Sequence, residues 1–168
     1  MRAIYLVGFM GSGKSTFGKK LADGLGIAFY DLDQVIESKA GITIPQLFQE
    51  WGEIRFREYE AEVLRSFVKE DKDFVLACGG GTPCFHDSMD WMNAHGYTFF
   101  IDTPFAETEE RLKGTEANRP VLKALRQGKN DDSLHQLYIK RREIYLQAAS
   151  ILGPESLNVN EVIHMLNS

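Results

Sequence analysis

Short runs of apolar residues alternate along the chain with longer segments whose apolar positions recur every three or four residues. The apolar runs fall at residues 3–9, 27–33, 73–82, 97–103 and 150–152. Because these runs are continuous rather than alternating, they predict strands that a parallel sheet buries on both faces. Helical segments are predicted at residues 14–25, 34–70 with breaks near Gly41 and Pro45, 105–113, 132–149 and 160–166. This alternation predicts a three-layer α/β fold with right-handed crossovers.

Residues 114–130 fit neither pattern. They are polar, are bounded by glycines and show no strong periodicity. Such a segment inside a compact domain is predicted to be a mobile functional loop rather than a packed element.

Composition restricts the class of protein. The chain has 168 residues, of which 43% are hydrophobic and 26% charged, so one domain at residues 1–168 is predicted. The net charge of −5 argues against a broad nucleic-acid surface or an anchor for anionic membranes. No apolar stretch approaches the roughly 20 residues of a membrane span, and two cysteines are too few for a disulfide framework. We therefore expect a cytoplasmic protein, a monomer by default, whose partners include neither nucleic acid nor membrane.

The sequence GFMGSGKS at residues 8–15 has the spacing of a nucleotide phosphate loop. It lies between a predicted strand and a predicted helix, so its backbone N–H groups are expected to face anionic oxygens. Lys14 is expected to reach the β- and γ-phosphates of ATP. The residues expected to hold the nucleotide here are Gly11, Ser12, Gly13, Lys14, Ser15 and Thr16.

A magnesium ion is expected at the same place, because the hydroxyl of Ser15 suits this cation. The metal's second protein group has two candidates. Asp31 ends the strand that follows the phosphate-loop helix, and Asp102 ends the fourth strand. The sequence favours Asp31, and we expect Asp102 to cap the turn before Pro104.

Asp31 and Asp33 are two residues apart on a stretch predicted to be extended, which would place both side chains in one cleft. One would face the metal and the other an acceptor hydroxyl. The spacing fits equally well a helix N-cap at Asp33, with Glu37 nearby. The sequence leaves both interpretations open.

Three arginines and a glycine run complete the candidates. Arg57 in RFREYE, Arg119 in NRP and Arg141 in KRRE each fit a solvated surface position as well as an anion-binding one. The glycines at 79–81 follow a buried strand, where three glycines cost backbone entropy. Close approach of a ligand is therefore favoured over a plain turn.

Taken in order, GFMGSGKS, DLD, FREYE, GGG, RP and KRREIY resemble the motifs of the shikimate kinases, small P-loop kinases of the nucleoside-monophosphate-kinase structural type. The resemblance covers residues 3–149. It implies a P-loop NTPase fold whose five-stranded parallel sheet has the order 2-3-1-4-5 and is flanked by helices. It also implies a helical substrate-binding region at about residues 33–61 and a lid at about 114–124.

The resemblance implies a reaction, ATP-dependent phosphorylation of the 3-hydroxyl of shikimate on the route to chorismate and the aromatic amino acids. It also implies roles by position. Arg57 and Arg141 would hold the substrate carboxylate, and Asp33 would bind ring hydroxyls and orient or deprotonate the nucleophile. Asp31 would position Mg²⁺ through water, and Arg119 would close over the phosphates as a catalytic residue beside Asp33 and Lys14. The other implied substrate contacts are Gly79, Gly80, Gly81, Phe48 and Phe56, with Glu60 bracing the region of Arg57.

The adenine side stays open at this point. Both Arg111 and Lys113 are candidates for the nucleotide contact, and we take Arg111 as the expected one. Residues 153–158 depart from the usual pattern of the family, and the lid reads RPVL instead of RPLL.

Two other functions are alternatives. A gluconate-type sugar-acid kinase of the same fold also takes a carboxylated polyol, although GGG and FREYE favour shikimate. A non-catalytic nucleotide-binding sensor is the other, and the presence of Asp33 together with Lys14 argues against it.

Overall fold

The computed structural model describes residues 3–67, 72–128 and 132–168. Its centre is a five-stranded sheet in the order β2-β3-β1-β4-β5, in which neighbouring strands pair in parallel. The strands are β1 (Ala3–Val7), β2 (Ala28–Asp31), β3 (Phe74–Ala77), β4 (Tyr97–Ile101) and β5 (Ser150–Leu152). The predicted fold class and strand order are therefore confirmed.

Helices flank this sheet. They are α1 (Lys14–Leu25), α2 (Leu32–Ala40), α3 (Ile44–Ser66), α4 (Ser88–His95), α5 (Phe105–Leu112), α6 (Pro120–Gln127), α7 (Asp132–Tyr145) and α8 (Val159–Asn167). Short 3₁₀ helices lie at Thr82–Cys84 and Glu116–Asn118. Among the helices described, none combines the length and the apolar character that crossing a bilayer requires.

Strand β1 explains why the apolar runs are continuous. Tyr5 and Val7 pack into the apolar cluster on one face of the sheet, and Ile4 and Leu6 pack into the cluster on the other. Both faces of the strand are therefore buried, as the sequence predicts. The phosphate loop follows directly, so it begins at the centre of the sheet's carboxyl edge.

The segment at 114–130, predicted to be a loop, contains a 3₁₀ turn and helix α6, so that prediction is wrong for its central part. Leu122 is fully buried, and Val121 and Leu125 pack against the core beside it. Three apolar side chains on one short helix are too few to produce a recognisable helical periodicity in the sequence. Residues 129–130 lie outside the described part of the chain.

Other boundaries differ by a few residues. The second strand ends at Asp31 because that residue caps helix α2, which begins two residues earlier than predicted. Helix α7 ends at Tyr145 instead of residue 149, and α4, which buries Met89 and Met92, has no counterpart in the prediction. The predicted end of the long helical segment, at residue 70, lies outside the described residues.

Both predicted helix breaks are confirmed. Gly41 ends α2 with a φ of 74°, a left-handed conformation that glycine adopts readily. Pro45 lies in the first turn of α3, where Thr43 and Gln46 form a capping box. A third break is at Gly52, whose φ of 75° and ψ of 169° interrupt α3.

Candidate active site

Two cavities meet at the carboxyl edge of the sheet. The larger, about 950 Å³, is lined by the phosphate loop, α5 and residues 153–154 and 157–159. The smaller, about 330 Å³, is lined by α3, the glycine run and the start of α6. The residues that line both cavities are Met10, Asp33, Gly79, Gly80 and Arg119. The structure thus brings together, at one junction, candidates that are far apart in the sequence.

The side chain of Lys14 forms hydrogen bonds with other residues of the phosphate loop. The Nζ atom of Lys14 donates to the carbonyl oxygens of Gly8 at 2.8 Å and Phe9 at 2.9 Å, and to Ser12 Oγ at 3.3 Å. Burial lowers the pKa of Lys14 to about 8, although the negative charge of Asp33 opposes this change. All six residues from Gly11 to Thr16 that were expected to hold the nucleotide line the larger cavity.

Ser15 and Asp31 are adjacent. The Ser15 hydroxyl donates to Asp31 Oδ2 at 2.7 Å, and Asp31 Oδ1 accepts from the backbone N–H of Asp33 at 3.0 Å. A hydroxyl and a carboxylate oxygen on the wall of a phosphate-binding cavity are hard donors that fit Mg²⁺. No group of three acidic, histidine or cysteine side chains suited to a metal occurs among the described residues. The fit is therefore to an ion that takes its other ligands from phosphate and water.

Asp102, the other metal candidate, also lines the larger cavity, but it is paired with Arg142. Its Oδ1 accepts from Arg142 Nε at 3.1 Å and its Oδ2 from Arg142 Nη2 at 2.6 Å. Helix α5 has Pro104 at its N-cap and no side-chain cap there. The interpretation of Asp102 as a turn cap is therefore wrong, because an arginine 40 residues further along the chain takes both of its oxygens.

Asp33 lies on the first turn of α2, and not on extended chain as predicted, because Asp31 rather than Asp33 is the N-cap. Its side chain nevertheless reaches the junction of the two cavities. Burial, which removes water from the carboxylate, raises the pKa of Asp33 to about 7, and the negative charges of Glu60 and Asp31 add to this rise. The residue is still exposed to water in the cleft, which limits this rise. The pKa of Asp33 is therefore raised towards neutral pH.

Arg57 is buried, so its interpretation as part of a solvated helix face is wrong. Its Nη1 donates to Glu60 Oε1 at 2.9 Å, and its Nε and Nη2 donate to Glu53 Oε1, both at 3.3 Å. The other oxygen of the buried Glu60 accepts from Thr82 Oγ1 at 2.8 Å. The guanidinium also lies 4.6 Å from the centre of the Phe85 ring. These contacts fix a positive charge on the wall of the smaller cavity.

The glycine run makes room for these charged groups. A Cβ at Gly81 would lie 2.5 Å from both terminal nitrogens of Arg57. A Cβ at Gly79 would lie 3.1 Å from Asp33 Oδ1 and 3.3 Å from Glu60 Oε2. The backbone after β3 is therefore packed directly against charged side chains of the site.

Arg141 is buried and also lines the smaller cavity, which excludes an ordinary surface role. One turn later on α7, the hydroxyl of Tyr145 donates to the carbonyl oxygen of Gly80 and ties the helix to the glycine run. Phe48 and Phe56 form the apolar wall, with ring centres 4.5 Å apart.

Arg119 is half-buried and lines both cavities. Its φ of −131° and ψ of 88° are extended, as the following Pro120 predicts. Arg119 is therefore a cation that faces both cavities at the start of α6.

The structure also distinguishes between Arg111 and Lys113, the two candidates for the nucleotide contact on the adenine side. Arg111 lines the larger cavity and donates through Nη1 to the carbonyl oxygen of Gly11 at 3.1 Å. Lys113 is exposed, pairs with Glu110 and does not line that cavity.

Sequence reasoning missed several residues of the site. Thr82 directly follows the glycine run, so its position was a usable signal. Thr103, whose hydroxyl donates to the carbonyl oxygen of Ser12 at 2.8 Å, and Arg142 carry no comparable signal, because their partners are distant in the sequence.

Replacing Gly81 with alanine should lower the free energy of unfolding by about 1–3 kcal/mol, since the new methyl group overpacks against the buried Arg57 guanidinium. Urea unfolding measures this change. Gly153→Ala is the matched control, because a Cβ there meets nothing within 4 Å. Equal stabilities of Gly81→Ala and the wild type would show that Arg57 is not held against this backbone.

Comparison with known proteins agrees with this geometry. Residues 10–166 match the profile of the family described as shikimate kinase. A shikimate kinase of Persephonella marina is 40% identical over 98% of this chain and 96% of its own length. One of Bacteroides fragilis is 42% identical over 94% and 87%.

Solved structures give the same result. The crystal structure of shikimate kinase from Bacteroides thetaiotaomicron has a TM-score of 0.84 at 36% identity and covers 99% of both chains. The Acinetobacter baumannii enzyme in complex with shikimate has a TM-score of 0.87 at 31% identity, covering 99% of this chain and 93% of that one. The chain therefore belongs to the shikimate kinase family.

Proposed function

We propose that this protein transfers the γ-phosphoryl group of ATP to the 3-hydroxyl of shikimate, giving shikimate 3-phosphate and ADP on the route to chorismate and the aromatic amino acids. The observation that carries the proposal is the junction of two cavities at Asp33 and Arg119. A nucleotide cavity and a smaller acceptor cavity that share one wall are what direct transfer between two bound substrates requires.

The larger cavity suits the nucleotide. Lys14 and the backbone N–H groups of the phosphate loop would hold the phosphates, and Arg111 is positioned for the adenine side. Ser15 and Asp31 would hold Mg²⁺, directly or through water. When bound, this ion neutralises charge on the phosphate oxygens.

The smaller cavity suits a compact acid. Arg57 and Arg141 offer two buried guanidinium groups for a carboxylate. Phe48 and Phe56 would pack against the ring, and Gly80 lines the same cavity, where its backbone N–H would be available to the acceptor. A volume of about 330 Å³ fits a single six-membered ring with its substituents better than a nucleoside monophosphate.

Asp33 is placed to act on the acceptor hydroxyl. Its carboxylate would accept the hydroxyl proton while the oxygen attacks the γ-phosphorus and the bond to the ADP oxygen breaks. Lys14 and Arg119 would balance the negative charge that spreads over the transferred group. The reaction thus depends on positioning and charge neutralisation, and needs no covalent intermediate with the protein.

A coupled assay for ADP release tests the proposal against its rivals. We expect turnover with shikimate that exceeds turnover with gluconate or nucleoside monophosphates by at least about 10³-fold, because unpaired buried charges penalise the wrong acceptor. Preferred turnover of gluconate would establish the sugar-acid kinase instead. Nucleotide binding without turnover of any acceptor would favour the sensor.

Residues of one chain form both cavities, so we propose that the enzyme acts as a monomer. We also propose that it works in the cytoplasm, where ATP is available. Sedimentation equilibrium at assay concentrations tests the first statement. A dimer that must persist for activity would contradict it.

Asp33→Asn should lower turnover by about 10²–10⁴-fold, as expected for loss of a general base. The wild-type kcat/KM should rise as the pH passes through about 7, because only the carboxylate form of Asp33 accepts the proton. It should fall above about 8, where the free enzyme's Lys14 loses its charge. The variant should lose the acidic limb of this pH profile and keep the basic one.

Asp90→Asn is the control, since Asp90 is exposed on α4 and lines neither cavity. A variant Asp33→Asn that keeps most of its turnover and the same acidic limb would show that Asp33 is only a residue of the helix start.

We propose a lid within residues 114–124, centred on Arg119. Helix α6 is anchored by the buried Leu122, so the mobile part should be residues 114–119, ahead of that anchor. Hydrogen exchange there should slow when a non-hydrolysable ATP analogue and shikimate are both present, because Arg119 then contacts the phosphates.

Arg119→Ala should abolish this ligand-dependent protection while exchange in the strands stays unchanged. Equal protection of residues 114–119 with and without ligands would contradict the lid.

A further inference from the structure

Helix α7 carries two consecutive arginines, of which one lines the smaller cavity and the other is paired with a residue of the larger one. Arg141 is buried in the smaller cavity. The next residue, Arg142, points to the other side and binds Asp102, which lines the larger cavity at the end of β4. The position of Arg141 along the helix is therefore linked directly to the wall of the nucleotide cavity.

The contact between Arg142 and Asp102 fixes orientation as well as distance. Nε donates to Oδ1 at 3.1 Å and Nη2 donates to Oδ2 at 2.6 Å, which is a bidentate, fork-to-fork pair. The side chains are 37% and 19% exposed, so the pair is partly shielded from water. The guanidinium also lies 5.9 Å from the ring centre of Phe100 on β4. A planar guanidinium held in this way restricts rotation and sliding of α7 over the strand.

A second set of bonds continues the link to the phosphate loop. The Tyr138 hydroxyl, one turn earlier on α7, donates to the carbonyl oxygen of Thr103 at 3.1 Å. The buried hydroxyl of Thr103 donates to the carbonyl oxygen of Ser12 at 2.8 Å. The chain of contacts therefore runs from the phosphate loop through residues 102–103 to α7 and ends next to Arg141.

We propose that the Asp102–Arg142 pair is a positioning device, which sets the guanidinium of Arg141 in the acceptor cavity relative to the phosphate loop. The proposal rests on the proposed function, in which Arg141 binds the acceptor carboxylate. Neither member of the pair touches the acceptor. Arg142 affects the position of Arg141 through helix α7, and Asp102 holds Arg142 to the end of strand β4.

The kinetic test compares Arg142→Gln, Asp102→Asn and the double variant with the wild type. Arg142→Gln should raise the KM for shikimate about tenfold, because a small displacement of a positioned group weakens binding strongly. Its kcat and its KM for ATP should change less than about twofold, since Lys14 and Asp33 stay in place. The double variant should be no worse for shikimate than the single ones, because each breaks the same contact.

Two further variants separate the pair from a general effect of charge. Arg142→Lys keeps the charge but loses the fork, so it should resemble Arg142→Gln if orientation matters. Glu143→Gln removes a charge from the neighbouring exposed position of α7 and should leave all constants unchanged. An unchanged KM for shikimate in Arg142→Gln, or an equal rise in Glu143→Gln, would overturn the proposal.

A crystal structure of ligand-free Arg142→Gln gives a readout that needs no substrate. The Arg141 guanidinium should be displaced by about 1 Å or more from its wild-type position beside Gly80. An undisplaced Arg141 would overturn the positioning role. Failure of the wild type to phosphorylate shikimate would instead overturn the proposed function, and this structural comparison would still decide the role of the pair.

Discussion

The site depends on the burial of β1 and β3 side by side at the centre of a parallel sheet. Because both strands run in the same direction, the phosphate loop that follows β1 and the glycine run that follows β3 emerge at the same edge. The backbone of Gly80 then lies within contact distance of Met10, where an added Cβ would be 3.1 Å from the Met10 nitrogen. Backbone at Gly79 and Gly80 therefore forms part of the wall between the two cavities, beside the side chains of Asp33 and Arg119.

Positive charge is concentrated around the two cavities although the protein as a whole is negatively charged. The chain has a net charge of −5, yet four cations, Lys14, Arg57, Arg119 and Arg141, surround the junction of the cavities. Glu60 holds Arg57 in place. Burial is the main cause of the raised pKa of Asp33, and the negative charges of Glu60 and Asp31 add to it. The buried carboxylate of Glu60 thus serves acceptor binding and the tuning of the base. Two anionic substrates would complete the balance of charge.

The sequence was sufficient for features that depend on local pattern. Burial of β1 on both faces makes its apolar run continuous, and the spacing of the phosphate loop predicts a strand-loop-helix turn. Features that depend on distant contacts were not predictable in this way. Asp102 looked like a turn cap because Arg142, its partner, is 40 residues away. Asp33 reached the cleft from a helix and not from extended chain, since Asp31 took the capping position.

A crystal structure of the protein with ADP, Mg²⁺ and shikimate would test this arrangement of the site, because it locates both ligands relative to the shared wall. We expect ADP in the larger cavity and the shikimate carboxylate between Arg57 and Arg141. We also expect the 3-hydroxyl within about 2.6–3.2 Å of an Asp33 oxygen. Shikimate bound with its carboxylate away from these arginines, or with its 3-hydroxyl remote from Asp33, would contradict the roles assigned to these residues.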